Sequence, residues 1–420
     1  MISAPQIEKI ASTFHGGLGS PPKVSTAELV VASVYHEMMG EGTKAEHLKE
    51  VTGKEIRDPS LAERYGGMDE RVFLTVLDEF LKPQANRLTD PCAFYKGMRL
   101  VGIDGGSFSL PNTEAVAAEV EKAATRRGKA AFAKLEICVV SELGLHHPIA
   151  ASIGIDSEMG LARSLFSKIA AHSLCLGDRY YGNGRCISQF MELCQEERRD
   201  FLFRVKEDLK ARVVRRLADG SGWVEVCSSD GRKTLVREIR GKVRGRNGKR
   251  IRVRFWTSLM NARAHPARQL LELYSMRWEQ EIGFDELKNK LHNGNLLKSH
   301  TVHTGIQEVA ALIMAQSLVA QVRCQVAHAD EVPTLRVSFR KVRRYLRAFW
   351  MWVEAGGDIL TAEQIKRMGL RFRDLLLKQL TSPRRKRSCP RAVRQPIRGW
   401  PRLQKNVSYY GDFCYEITPV

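Results

Sequence analysis

The chain has 420 residues, 43% of them apolar, which is enough to bury a large core and excludes a small scaffold stapled by disulfides or metals. Its 67 Lys/Arg against 47 Asp/Glu leave a net charge of +20, and an excess of that size points to a polyanionic partner, nucleic acid first. Nine cysteines sit singly, without a Cys-x-x-Cys pair or zinc-like spacing, so buried free thiols in a reducing cytoplasm are expected. No signal-like apolar segment follows a basic start and no apolar run looks long enough to span a membrane, so the expectation is a soluble, cytoplasmic, nucleoid-associated protein.

Residues 1–95 read as a helical region, because Val30, Val31, Val34 and Met38, and later Val72, Val76, Leu77, Phe80 and Leu81, recur at three- and four-residue spacing. Residues 1–90 hold 10 basic and 14 acidic residues, a net −4, so the other 330 carry +24. From Leu100 the pattern turns to short β-type runs, Leu100 to Ile103, Lys134 to Val140 and Ile149 to Ile155, which suggest an antiparallel meander. A helical stretch (Gly160 to His172), the apolar run Ser173–Leu176, a helix near Ile187–Glu197 and a strand Phe201–Val205 follow. Strands followed by alternating helix and strand indicate a mixed α/β sheet.

Residues 207–257 interrupt the alternation with basic, β-prone sequence and read as an inserted β subdomain. In Arg250-Ile251-Arg252-Val253-Arg254-Phe255 every second residue is Arg, which sets the guanidinium groups on one strand face. Gly245-Arg246-Asn247-Gly248 supplies a hairpin turn before it. One long helix is expected from Pro266 to Leu291, closed by Asn293-Gly294. Residues 306–350 look helical again, and the Pro- and Arg-rich tail from Thr381 lacks apolar periodicity, so it is expected to be extended or disordered until bound.

On the 266–291 helix, Leu273, Met276, Gln280, Phe284, Leu287 and Leu291 form the stripe expected to enter the core. Tyr274, Arg277, Glu281 and Lys288 form a polar stripe roughly a quarter turn away, where a helix borders a cleft. Glu279 and Glu286 fall on the far side and are expected to be solvated. A Tyr/Arg/Glu/Lys stripe by itself is also what ordinary exposed helices carry. Two aspartates give it weight: Asp104 follows Leu100-Val101-Gly102-Ile103 and precedes Gly105-Gly106-Ser107, and Asp178 follows Leu174-Cys175-Leu176-Gly177. Each on its own reads as a turn former beside glycine; together with Glu281 they make three carboxylates at strand ends and on a cleft helix. Three such groups suit two Mg²⁺ or Mn²⁺ ions, hard cations that prefer oxygen and assist in-line phosphoryl transfer.

The run Tyr274-Ser275-Met276-Arg277-Trp278-Glu279-Gln280-Glu281, with Lys288 seven further on, resembles the Tyr-Arg-Glu-Lys motif of bacterial insertion-sequence DDE transposases of family 4. Ile103 to Ser107 and Leu176 to Gly182 are similar to that family's two aspartate motifs, and the likeness covers about residues 95–320. The resemblance implies a ribonuclease-H-like catalytic core, 96–206 and 258–325, split by the 207–257 insertion and followed by a helical, basic region 326–420. It implies that Asp104, Asp178 and Glu281 are catalytic metal ligands, and that Tyr274, Arg277 and Lys288 contact phosphates of a transposon end. Family members cut double-stranded DNA at terminal inverted repeats and join the 3′ hydroxyls to target DNA within a homodimer. The acidity of the first 90 residues departs from the end-binding role common at the family's N-terminus and suits dimerisation or regulation instead.

Further DNA contacts are expected from Arg252 and Arg254 of the insertion. Arg336, Arg340, Arg343 and Arg347 share one helix face, with Lys341 and Arg344 beside it and no acid between 332 and 353, so Arg340 and Arg344 are candidates too. The tail 375–411 holds ten Lys/Arg and no acid, and suits non-specific phosphate binding. Trp256 could stack on an unpaired base or pack in the core. His146-His147 receives no role. Two rivals stand beside the transposase: a metal-dependent nuclease of the same fold without strand transfer, and a catalytically inactive, transposase-derived DNA-binding protein.

Overall fold

A computed structural model describes residues 2–14, 23–125, 128–194, 197–244, 250–382 and 415–418. Five helices open the chain: α1 (Ala4–Phe14), α2 (Thr26–Met39), α3 (Lys44–Thr52), α4 (Asp58–Gly66) and α5 (Glu70–Phe80). Capping boxes, Ser25 with Glu28 and Thr43 with Glu46, start α2 and α3 by satisfying their first free N–H groups. Next come β1 (Phe94–Tyr95), β2 (Met98–Ser109), α6 (Glu114–Glu119), β3 (Ala124–Thr125), β4 (Gly128–Lys129), β5 (Lys134–Glu142), β6 (His147–Gly154) and α7 (Glu158–Phe166). They are followed by β7 (Ser173–Gly182), α8 (Gly184–Cys194), β8 (Asp200–Val205), β9 (Arg212–Arg216), β10 (Gly222–Cys227), β11 (Lys233–Arg244), β12 (Arg250–Thr257) and α9 (Ala267–Leu273). The chain closes with α10 (Trp278–Asp285), α11 (Val302–His328), α12 (Phe339–Gly356), α13 (Ala362–Leu377) and β13 (Tyr415–Thr418). The class is mixed α/β.

Two compact units result, Met1–Ala170 with Glu279–Thr381, and Ala171–Trp278 with Ser382–Val420. In the first, β2, β5 and β6 form the expected antiparallel meander in the order β6-β5-β2. α11 runs through its core, apolar nearly all round, and α5 buries Val72, Phe73, Val76 and Leu77 in the same apolar cluster. Side chains of this kind each contribute roughly 1.5–3 kcal/mol when fully buried. The N-terminal helices therefore share one core with Phe108, Leu135 and Ile137 of the strands, and compactness does not divide the chain at residue 95. The C-terminal helices also join this unit, with Phe339, Val342 and Leu376 in that core.

In the second unit β7 and β8 are parallel, joined through α8, and β12 pairs antiparallel with β8. β9 to β12, in the stretch read as a basic β subdomain, are strands and pair antiparallel in the order β12-β11-β10-β9. The hairpin turn foreseen at 245–248 and most of the basic tail lie outside the described residues.

Other expectations need correction. The helix foreseen over 266–291 is broken: α9 gives way to a 3₁₀ turn at Tyr274–Arg277, and α10 passes into a π turn at Glu286–Leu291. Among the described cysteines, Cys138, Cys175, Cys186 and Cys324 are buried free thiols, whereas Cys92 and Cys227 are exposed. Among the described residues one helix, α11, is long and apolar enough to cross a membrane by length and composition, contrary to expectation, although 78% of that apolar stretch is buried within the protein.

Candidate active site

Asp104 lies in the middle of β2, where Gly102, Asp104 and Gly106 share one face by strand alternation. α10 and the π turn cover that face because the two glycines carry no side chain. A Cβ on Gly102 would stand 3.0 Å from Gln280 Oε1, and one on Gly106 would stand 2.8 Å from Lys288 Nζ and 3.2 Å from the Phe284 ring. Gly105, on the opposite face, has the Glu158 carboxyl group packed where its Cβ would be. Any larger residue at these positions would displace the groups around Asp104. Asp104 is half-buried, and its Oδ1 accepts a hydrogen bond from the Gly105 N–H at 3.0 Å.

Glu281 is half-buried on α10, next to the buried Gln280, whose amide donates to the Val139 carbonyl at 3.1 Å. The helix is also tied down by Gln316, which donates to the Gly283 carbonyl at 2.9 Å. Glu279 and Glu286 overturn the expectation of solvated charges. Glu286 is 3% exposed, with Arg323 at 3.2 Å and His146 Nδ1 at 3.0 Å, and the same imidazole reaches Glu279 through Nε2 at 2.7 Å. Burial alone would raise the Glu286 pKa, but Arg323 and His146 outweigh it and hold the carboxyl down at about 2. Periodicity set Glu279 and Glu286 on one face, as their shared contact with His146 shows; what it could not show is that His146 and Arg323 cover that face. His146, given no role from sequence, thus clamps the segment that carries Glu281.

Lys288, within the π turn, lies over Gly106 beside Phe284. Its ammonium lies 5.5 Å from the ring centroids of both Phe108 and Phe284. Burial lowers its pKa, and Glu136 and Asp104 pull back in the other direction.

In the second unit, Asp178 sits within β7, half-buried, and its Oδ1 accepts from the Tyr180 N–H at 2.7 Å. Tyr274 is anchored beside it, because its hydroxyl donates to the Gly177 carbonyl at 3.1 Å while its ring packs 4.4 Å from that of Phe255. The Arg277 guanidinium lies over the same ring at 6.0 Å. Arg204, on β8, was not foreseen: burial lowers its pKa, as do Arg179 and Arg277 nearby. Its signal was a lone Arg inside the apolar strand Phe201–Val205.

Two DNA-binding candidates of the insertion are corrected. Trp256 is 1% exposed and donates its indole N–H to Glu238 Oε2 at 2.7 Å, so no ring face is open to a base. Arg254 is 2% exposed and ion-paired with Glu238 at 2.5 Å. Arg252, one pleat away, is exposed. On α12, Arg340 and Arg344 are exposed, whereas four neighbours expected to lack partners have them. Arg343 donates to Met38 and Lys290 carbonyls, Arg347 pairs with Glu41, Arg336 donates to the Thr381 carbonyl and Lys341 to that of Gln379.

Among the described residues no group of three or more His, Cys, Asp or Glu stands close enough to hold a metal ion. Asp104 and Glu281 belong to the first unit and Asp178 to the second. The fit to a divalent cation is one of donor chemistry alone, oxygen-only carboxylates.

Half-buried carboxylates on glycine-flanked strands and on a clamped helix, in a basic mixed α/β chain, are what these residues present. The sequence profile of the transposase DDE domain matches residues 95–318, just over half the chain, and the chain belongs to that family. It is 25% identical over 268 residues to the transposase InsG for insertion sequence element IS4 of Escherichia coli (strain K12), covering 62% of this chain and 56% of that protein. The match thus spans little more than half the length of that curated relative. A distant likeness extends to the piggyBac transposase in its synaptic complex with hairpin DNA, at 9% identity and a TM-score of 0.44, covering 90% of this chain and 82% of that one.

Proposed function

We propose that the chain is a DNA transposase, built on a ribonuclease-H-like core, that cuts at the terminal inverted repeats of its element and joins the 3′ hydroxyls to target DNA. The observation that carries this reading is the family membership over 95–318, a stretch that contains Asp104, Asp178 and the Tyr274-to-Lys288 motif in family order. Asp104, Asp178 and Glu281 would hold two Mg²⁺ or Mn²⁺ ions, which when bound activate an attacking oxygen and stabilise the leaving one. The chain's own residues do the positioning. Gly105 orients Asp104 through its N–H, the His146–Glu286–Arg323 network fixes the helix of Glu281, and Tyr274 braces the strand of Asp178 through the Gly177 carbonyl. Arg277 offers a bidentate fork to a phosphate, and Arg252, Arg340 and Arg344 offer exposed positive charge to double-stranded DNA. A homodimer would hold the two ends for concerted joining.

Pre-cut ends with free 3′ hydroxyls, incubated with the full chain, Mg²⁺ and a supercoiled plasmid, are expected to give covalent end–plasmid products. Efficient nicking without any joined product would leave the nuclease as the better description.

A further inference from the structure

A guanidinium taken out of water without a partner is costly, so a folded chain matches the charges it buries. The buried arginines of this protein follow that rule: Arg237 pairs with Asp219 at 2.5 Å, Arg254 with Glu238 at 2.5 Å and Arg323 with Glu286 at 3.2 Å. Arg204 departs from it. It is half-buried in β8, between the buried Phe203 and Val205, and among the described residues its guanidinium has no hydrogen bond or ion pair.

The surroundings of Arg204 can be followed from strand to strand within the second unit. Arg204 is the cross-strand neighbour of Phe255 on β12, the Phe255 ring packs 4.4 Å from that of Tyr274, and the Arg277 guanidinium lies over the Tyr274 ring at 6.0 Å. On the other side Gly177 of β7 pairs with Phe203, so Asp178 and Arg204 are the next residues along two neighbouring strands. The charges of Arg179 and Arg277 oppose that of Arg204, and the exposed Glu207 favours it without forming an ion pair. Like charges gathered on one sheet face are stabilised by an anion, and the planar fork of a guanidinium suits a phosphate.

We propose that Arg204 is a phosphate-binding residue, which forms with Arg277, across the Phe255 and Tyr274 rings, an anion site for a phosphodiester group of bound DNA. This site rests on the reading of the chain as a DNA-binding protein and requires no metal ion. It also accounts for the missing partner: the group that matches Arg204 arrives with the DNA.

Two measurements on the full-length chain test it: thermal unfolding without DNA, and affinity for a random-sequence duplex as a function of salt. Arg204→Met is expected to unfold at the parent's midpoint or above it, since it removes an unmatched half-buried charge. The same variant is expected to bind the duplex about five- to tenfold more weakly, with a salt slope shallower by about one. Arg204→Lys, which keeps the charge but not the fork, is expected to lose less affinity than Arg204→Met and to keep the parent's slope. Arg254→Met is the contrast, expected to lower the midpoint because it takes a buried partner from Glu238. For Arg204→Met, a midpoint that falls as it does for Arg254→Met, failure to fold included, or an unchanged salt slope overturns the phosphate role while leaving the DNA reading standing. A parent chain without measurable affinity for the duplex would instead defeat the DNA reading, and this site with it.

Discussion

Strand β2 carries Asp104 and strand β12 carries Arg254, and the structure treats the two in opposite ways. In β2, Asp104 is flanked by glycines, so neighbouring elements close in with functional groups and leave the carboxylate half-buried. In β12, Arg254 is flanked by large apolar residues and becomes enclosed, matched by the fully buried Glu238. The alternation along a strand tells which residues share a face; the size of their neighbours decides whether that face opens to a ligand or closes into a core.

The largest expected effect tests the open side. Asp104→Ala should lower cleavage of an end-containing duplex by about 10³-fold or more, an effect of several kcal/mol on the barrier, with little change in the unfolding midpoint. A large loss of stability with modest loss of cleavage would place Asp104 with the structural charges instead.

The closed side predicts the reverse. Glu238→Ala strands Arg254 and the Trp256 indole, and should destabilise by about 3–5 kcal/mol in denaturant unfolding. Replacing Glu238 and Arg254 together by Met should recover most of that loss, because neither charge is then left unpaired. Failure of the double variant to recover would mean that the pair contributes more than mutual neutralisation.

Burial can also suppress charge. His36 is buried against His47, 2.8 Å between their Nδ1 atoms, and burial first, then Lys44, Lys298 and His47, lowers its pKa to about 3. The unfolded imidazole takes up a proton near its ordinary value of 6.5, whereas the folded one does not until about pH 3. Stability should therefore fall as pH drops below 6.5, by up to about 1.4 kcal/mol per unit from this group. Unfolding between pH 6.5 and 5 should show a shallower slope for His36→Asn. An unchanged slope would assign the dependence to other groups.

Smaller still, Tyr274→Phe removes the hydroxyl bond to Gly177 and should cost about 0.5–1.5 kcal/mol of stability. Cleavage should fall with it if the Asp178 strand depends on that brace, and cleavage that holds steady would restrict Tyr274 to packing.

Much of the fold was legible because it follows local periodicity: the meander, the β strands of 207–257 and the helical character of the opening region each show in runs of a few residues. The two candidate aspartates stood out as acids beside glycine after apolar runs, but both lie within their strands, β2 and β7, and not at strand ends as expected. What escaped depends on partners distant in sequence. Glu286 looked solvated because its Arg323 and His146 partners lie 37 and 140 residues away. Arg343 looked unpaired because its acceptors include the Met38 carbonyl at the end of α2. The burial of Trp256 follows from Glu238, on the strand paired with its own, a match that spacing along one strand does not reveal.

The most direct test of the central claim is single-turnover cleavage of a duplex carrying the short inverted repeats expected to bound this coding region, with Mg²⁺, by the parent chain and by Asp178→Asn and Glu281→Gln. Cleavage by the parent that a chelator abolishes, with both variants inactive yet still bound to the duplex, is the predicted result. Cleavage that survives the chelator, or persists at near-parent rates in either variant, would contradict it.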